Sequence, residues 1–154
     1  MRSTAHITAT NYNNHAFQSE KEATTLEKKA QEVIHALTKS FIHEAQNSLL
    51  NMQRILNNIS FLKESEKIRV IQTGFFQAAH DLKGQGATYG YPLITEIADH
   101  ICLKIKKQKS YSKEDIFSFK TDVSDMISIL QCHPNHKDTK LEKRILQRLE
   151  CNNE

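Results

Sequence analysis

Residues 75–107 read FFQAAHDLKGQGATYGYPLITEIADHICLKIKK, and this stretch decides the fold. Apolar side chains recur every three or four residues on both sides of a glycine-rich interruption, which is the spacing of an amphipathic helix. The stretch therefore predicts two consecutive helices. Gly90 is well suited to end the first helix, and Pro92 lies near the first position of the second. We expect a tight turn between them.

Each of these two helices carries one apolar stripe. The inward residues expected for the first are Ile68, Ile71, Phe75, Ala79, Leu82, Gly86 and Tyr89. Those expected for the second are Leu93, Ile94, Ile97, Ile101 and Ile105. A single stripe on a helix indicates that one face packs against a shared core while the other faces water.

The same period continues on both sides of the central stretch. Before it, one long helix or two nearly collinear helices are predicted by the apolar positions Leu26, Ala30, Val33, Leu37, Phe41, Ala45, Leu49, Met52, Leu56 and Ile59. After a basic loop at residues 106–110, Ser112 and Asp115 form a capping signal for a further helix, which Pro134 should close. Asp138 or Thr139 can cap a short last helix, whose inward residues would be Leu141, Ile145 and Leu149.

The fold class follows from these patterns. No segment alternates polar and apolar residues at period two, so we expect no sheet. The sequence predicts an all-α protein, an antiparallel four-helix bundle with a short extra C-terminal helix. We expect residues 1–20 to form a disordered tail, residues 21–134 the bundle, and residues 135–154 a short basic helix and C-terminal tail.

Composition narrows the classes of function. The chain of 154 residues has a net charge of +3, no tryptophan and no apolar run long enough for a membrane span or a secretory signal. We therefore expect a cytoplasmic monomer without membrane contact. Nucleic-acid binding is a minority interpretation, because aromatic side chains interleaved with arginine are missing. The three cysteines form no CxxC pair, as expected of reduced thiols.

His80 is the candidate reactive residue. At about 100° per residue it lies roughly 140° from the centre of the apolar stripe, so it should face solvent. Its neighbours on that face are Lys83 and Gly84 one turn later, Phe76 one turn earlier and Ala87 two turns later. A cation, a bare backbone and an aromatic ring would therefore surround an exposed imidazole.

This combination suits a histidine that receives a phosphoryl group. An imidazole ring nitrogen can attack phosphorus near neutral pH, and the Lys83 ammonium would offset the charge of the transition state and the product. Gly84 costs the helix up to about 1 kcal/mol against alanine, and clearance for a docking partner is one reason to keep it. Phe76 and Ala87 would add apolar docking contacts. Alone, however, a solvent-facing histidine is usually an ordinary surface residue, and a helical glycine can instead serve close packing.

The stretch AHDLKGQGATYG, residues 79–90, resembles the signature of the histidine-containing phosphotransfer (HPt) domain family. The shared features are a histidine, a lysine three residues later, a glycine four later and a second glycine ten later. The resemblance covers about residues 68–105. Outside these residues, the chain resembles the family only in its pattern of helices. Gln85 departs from the family, in which many members carry serine or alanine, and it would change the contacts around the phosphoryl group but not the chemistry.

The resemblance implies a four-helix bundle whose exposed histidine takes a phosphoryl group from the aspartyl phosphate of one receiver domain and passes it to another. His80 would be the phosphoacceptor, Lys83 its charge partner, Gly84 part of the docking face and Gly90 the turn residue. The protein would be a carrier and not an enzyme. It would need no cofactor of its own, because the partner receiver supplies the catalytic aspartate and Mg²⁺.

Other residues and functions remain as alternatives. Cys132, His133 and His136 could suggest a metal cluster, but Pro134 breaks the helix and no fourth ligand is suitably spaced. Single histidines at the surface are the simplest interpretation of His35, His43 and His100. The lysines expected in a solvated basic loop, which could steer an acidic receiver, are Lys104, Lys106, Lys107 and Lys109. A histidine kinase dimerisation helix pair would need an ATPase domain that the sequence lacks, and a phosphorylation-independent basic scaffold or nucleic-acid-binding protein is the second rival.

Overall fold

The computed structural model of this chain describes the backbone of residues 5–132 and 139–151, and the side chains of 21–132 and 139–151. Across those residues the fold is helical without a strand, so the prediction of an all-α protein is confirmed. The main helices are α1 (Ala5–Asn58), α2 (Glu64–Val70), α3 (Phe76–Gln85), α4 (Pro92–Lys107), α5 (Lys113–Gln131) and α6 (Thr139–Cys151). Short 3₁₀ turns lie at Ile59–Phe61 and Ala87–Tyr89, and a π-helical turn at Ile71–Phe75 joins α2 to α3.

The chain divides into two compact units, residues 1–39 and 40–154. The first unit belongs to α1, which begins at Ala5, inside the stretch for which we expected a disordered tail. Of the apolar positions that predicted this helix, Leu26, Val33 and Leu37 are each at least half exposed. Helical periodicity identifies an apolar face but not what covers it.

The second unit contains the hydrophobic core. Side chains from α1 beyond Phe41, from the α2–α3 segment and from α4, α5 and α6 contribute to it. The largest fully buried side chains are Phe75, Phe119, Leu49, Met52, Leu56, Ile71, Ile94, Ile97, Ile101, Met126, Ile145 and Val123. Burying a side chain of this size stabilises the fold by about 1.5–3 kcal/mol before entropy is counted. The inward stripe expected for α3 is thus oriented as the sequence predicted.

The turn between α3 and α4 is held by glycine geometry. Gly90 has φ of +88°, the left-handed region that favours glycine, and Pro92 opens α4 as expected. At Gly86 an added Cβ would lie 2.8 Å from Thr95 Oγ1 and 3.0 Å from the Tyr91 carbonyl oxygen, so the two helices approach closely there. The α-helix itself ends at Gln85, earlier than expected, and a 3₁₀ turn carries the chain to Gly90.

The start of α5 confirms the predicted cap. The Ser112 hydroxyl accepts from the Asp115 backbone N–H at 3.2 Å, and the Asp115 carboxylate accepts from the Ser112 N–H at 2.9 Å. This capping box satisfies two N–H groups that a helix start leaves unpaired. Helix α5 ends at Gln131, while Pro134, the residue expected to close it, lies outside the described residues, as does Asp138.

Helix α6 is attached to α5 by buried charges. The Asp122 and Asp125 carboxylates are almost fully buried. Arg148 donates to Asp122 at 2.6 Å and to Asp125 at 2.8 Å, and Arg144 donates to Asp125 at 2.8 Å. His100 of α4 completes the cluster, with Nδ1 3.2 Å from Asp122. The prediction of a surface position for His100 is therefore wrong, since only 9% of it is exposed.

Replacing Asp122 with asparagine is expected to destabilise the protein. The substitution keeps the size of the side chain but leaves Arg148 with one carboxylate, and breaking a buried ion pair by removing one partner costs about 3 kcal/mol. Chemical denaturation monitored by circular dichroism measures the loss. Glu96→Gln, which neutralises an exposed carboxylate on α4, is the matched control and should change little. A loss below about 1 kcal/mol for Asp122→Asn would contradict the importance of the cluster.

Candidate functional site

His80 lies on the outer face of α3, and its side chain is 60% exposed. Ala79 and Leu82 on the opposite face are buried in the core, which fixes the rotation of the helix. The sequence-based expectation that His80 faces solvent agrees with this orientation. Nδ1 of His80 lies 3.9 Å from the Asp81 carboxylate, too far for a hydrogen bond, and Asp81 accepts instead from the Gln77 amide at 2.8 Å.

Lys83 does not point freely into solvent. Its Nζ lies 2.6 Å from Oδ1 of Asp99 on α4, and each side chain is about two-fifths exposed. The hydrogen bond to Asp99, followed by the negative charge of Asp99, raises the pKa of Lys83 above its ordinary value. Sequence analysis missed Asp99. Pairing the two helices antiparallel about Gly90 and Tyr91 would have placed positions 83 and 99 opposite each other.

Gly84 faces open space. A Cβ built on it would have no heavy atom within 4 Å outside its own helical surroundings, whereas a Cβ on Gly86 would collide with α4. Close packing therefore explains Gly86 but not Gly84. The bare backbone one turn from His80 leaves room above that part of the helix.

Phe76 is a partly buried edge of the site and not a fully exposed contact. Its ring centroid lies 6.0 Å from that of His80 at an interplanar angle of 32°. Lys106 Nζ lies 5.7 Å from the Phe76 ring centroid, within cation–π range. Ala87 is exposed, as expected for a docking face, but it belongs to the 3₁₀ turn after α3. Phe76 and Gly84 thus lie one turn before and one turn after His80 on α3, and Ala87 follows in the 3₁₀ turn.

The lysines expected in one solvated loop have different environments. Lys104 and Lys106 belong to α4, which extends to Lys107, so the loop is shorter than expected. Lys104 lies 3.0 Å from Asp115 and 5.5 Å from the Phe119 ring centroid, and its side chain is largely buried. The description of Lys104 as a solvated loop residue is therefore wrong. Two lysines lie near neighbours of His80 in the structure: Lys83 follows His80 by three residues on α3, and Lys106 lies over the Phe76 ring.

The other histidines and cysteines whose side chains are described form no metal-binding group. His35 and His43 are exposed, and His43 Nε2 lies 3.3 Å from the Asn47 amide. His133 and His136 of the suggested metal cluster lie outside the described residues. Over residues 21–132 and 139–151, whose side chains are described, no three His, Cys, Asp or Glu side chains are grouped as metal ligands.

No protein-family model, curated protein sequence or solved structure matches this chain. In the part of the chain that the structure describes, no helix combines the length and the apolar character needed to cross a membrane. The functional argument therefore depends on the local arrangement on α3 and α4. An exposed imidazole, a cation close to it on the same helix face and a glycine without a side chain can together admit a phosphoryl group and the protein that carries it.

Proposed function

We propose that this protein is a histidine phosphotransfer protein, in which His80 accepts a phosphoryl group from the aspartyl phosphate of a receiver domain and passes it to another receiver. The observation that supports it most is the exposed His80 on α3 with Lys83 and the unobstructed Gly84 on the same face. We further propose that α1 beyond Phe41, the α2–α3 segment, α4 and α5 form the family's four-helix bundle, with α6 added.

In the proposed transfer, the lone pair of a His80 ring nitrogen attacks phosphorus in line with the bond to the aspartyl oxygen. The new P–N bond forms as the P–O bond breaks, and the electron pair of the P–O bond stays on the receiver's carboxylate. The attacking atom is the ring nitrogen that carries no proton in the neutral imidazole, and the other ring nitrogen keeps its proton during the attack. The second transfer reverses these steps with another receiver.

The proposed contribution of Lys83 is electrostatic. Its ammonium can reach oxygens of a phosphoryl group on His80, because residues three apart on a helix are neighbours. Developing negative charge in the transition state and on phosphohistidine would be stabilised by this cation. Mg²⁺ and the acidic residues that bind it would belong to the receiver, so this chain acts as a carrier and not as an enzyme.

Lys83→Ala is expected to slow transfer about threefold to tenfold without abolishing it, because the nucleophile remains while one partly exposed cation is removed. Single-turnover transfer from a phosphorylated receiver measures the effect in both directions. Lys120→Ala, at an exposed lysine on α5, is the control for the loss of one positive charge. Equal rates for wild type and Lys83→Ala would leave Lys83 as an ordinary surface cation.

The partners in this proposal are receiver domains of hybrid histidine kinases and of response regulators. The protein would act as a cytoplasmic monomer, since the proposed transfer needs only one His80 at a time. A docking receiver would cover His80, Gly84 and Ala87 and contact the edge of Phe76. Because Gly84 and Ala87 are small, the receiver's aspartate could approach the His80 ring closely.

The direct test is transfer from a panel of purified receiver domains carrying radiolabelled aspartyl phosphate. The proposal expects label on this protein that is stable in alkali, is lost in acid and maps to His80 by mass spectrometry. Label on a serine, threonine or tyrosine would contradict it, and so would failure of every receiver in a broad panel. Salt-dependent DNA binding without any labelling would instead support the basic scaffold or nucleic-acid alternative.

A further inference from the structure

We infer that Asp99 is a positioning residue that holds the Lys83 ammonium and limits how strongly it stabilises a phosphoryl group on His80. This inference rests on the proposed phosphotransfer function. It concerns the balance of phosphate between His80 and its receivers, not whether His80 is phosphorylated. The contact that supports it is the ion pair of 2.6 Å between Lys83 Nζ and Asp99 Oδ1.

Contacts at the turn between α3 and α4 hold the two helices in a fixed position beside the Lys83–Asp99 ion pair. Thr95 Oγ1 accepts from the Ala87 backbone N–H at 2.8 Å and donates to the Lys83 carbonyl at 3.2 Å. The contact of Gly86 with Thr95 and Tyr91 fixes the separation of the helices at the same level. Because these contacts hold the hairpin together, the half-exposed ion pair is not needed to keep α3 beside α4.

The charges define what the pair does. Lys83 and Asp99 together are neutral, so a phosphoryl group arriving at His80 meets a cation that already has an anionic partner. An ammonium has three N–H donors and can contact both anions, but the carboxylate repels the phosphoryl charge and competes for those donors. Asp99 should therefore weaken the attraction of Lys83 for phosphohistidine.

This weakening would suit a carrier. A phosphoryl group that is stabilised too strongly on His80 would not be passed on, whereas a cation shared with Asp99 keeps the two directions of transfer closer in free energy. The expected size is modest, since both side chains are about two-fifths exposed and solvent screens the pair.

Asp99→Asn isolates the charge, because asparagine has nearly the same shape and keeps an oxygen that can accept from Lys83. The experiment equilibrates the full chain with a radiolabelled receiver domain that labels wild-type His80, and measures the distribution of label between the two proteins. We expect Asp99→Asn to shift the equilibrium toward His80 by about twofold to fivefold. Glu96→Gln, which removes an exposed carboxylate one turn earlier on α4, should give a smaller shift.

The double variant with Lys83→Met separates this role from a structural one. Methionine keeps the length of the side chain and removes its charge, so Asp99→Asn should have little effect on the equilibrium in that background. Asp99→Glu should retain the wild-type balance if it restores the ion pair. Thermal unfolding of each variant verifies that the fold is retained.

Three results would overturn the inference while leaving His80 as the phosphoacceptor. In the first, the equilibrium constant for phosphorylation of His80 by the receiver is unchanged or lowered in Asp99→Asn. In the second, Asp99→Asn shifts this constant no more than Glu96→Gln does. In the third, Asp99→Asn gives the same shift with Lys83 and with Lys83→Met. Absence of label on wild-type His80 with every receiver would instead contradict the proposed function itself. The two failures are therefore distinguishable.

Discussion

Replacing His80 with alanine is expected to reduce phosphoryl acceptance to background while leaving the fold intact. The imidazole is the only group in the proposed mechanism that forms a bond to phosphorus, so its loss cannot be offset by Lys83. Its side chain is largely exposed and lies beside the partly buried Phe76 ring, so the free energy of unfolding should change by less than about 1 kcal/mol. Circular dichroism and acid-labile labelling from a competent receiver measure the two effects.

His43→Ala is the matched control for His80→Ala. His43 is also exposed on a helix, but the structure gives it an Asn47 contact and no neighbouring ion pair of the Lys83 type. The control variant should be labelled at the wild-type rate. If His80→Ala is still labelled by the same receiver, another residue is the acceptor and the site assignment is wrong.

Replacing Gly84 with glutamine is expected to stabilise the protein and impair transfer. The open space around Gly84 accommodates a side chain, and glutamine is a much better helix former, so stability should rise by several tenths of a kcal/mol. The same side chain would project beside His80 and hold a docked receiver away from the ring. Because small displacements strongly slow in-line transfer, we expect a rate about tenfold to a hundredfold lower.

Two glycine variants serve as controls for this experiment. Gly84→Ala adds only a methyl group in open space, and should gain stability with a much smaller loss of rate. Gly86→Ala would place its Cβ against Thr95 and the Tyr91 carbonyl, and should lose stability. Normal transfer by a stable Gly84→Gln protein would show that no receiver approaches this part of α3.

Local sequence signals predicted the helical hairpin and the orientation of His80. A left-handed Gly90, a proline at the start of α4 and the Ser112–Asp115 capping box each depend on residues close together in the chain. The buried face of α3 followed from the spacing of its apolar residues. These features establish where His80 points without any knowledge of distant contacts.

The contacts between distant residues were not predicted. Asp99 beside Lys83 and Asp122 beside His100 depend on how neighbouring helices pack, and a single sequence does not specify which surface charge meets which partner. The exposure of Leu26 and Val33 has a similar cause, since an apolar stripe reports a preference for burial and not the presence of a covering element. The packing of neighbouring helices therefore determines which charged side chains pair, and the sequence did not predict those pairs.

The buried carboxylates of α5 make α6 part of the cooperative folding unit. If α6 detached, Asp122 and Asp125 would lose their ion pairs with Arg144 and Arg148, so local opening of this helix carries an electrostatic cost in addition to the exposure of Ile145 and Leu149. Amide hydrogen exchange in α6 should accordingly be slow for a terminal helix. A fragment that ends before α6, which spans Thr139–Cys151, should therefore unfold more readily than the whole second unit.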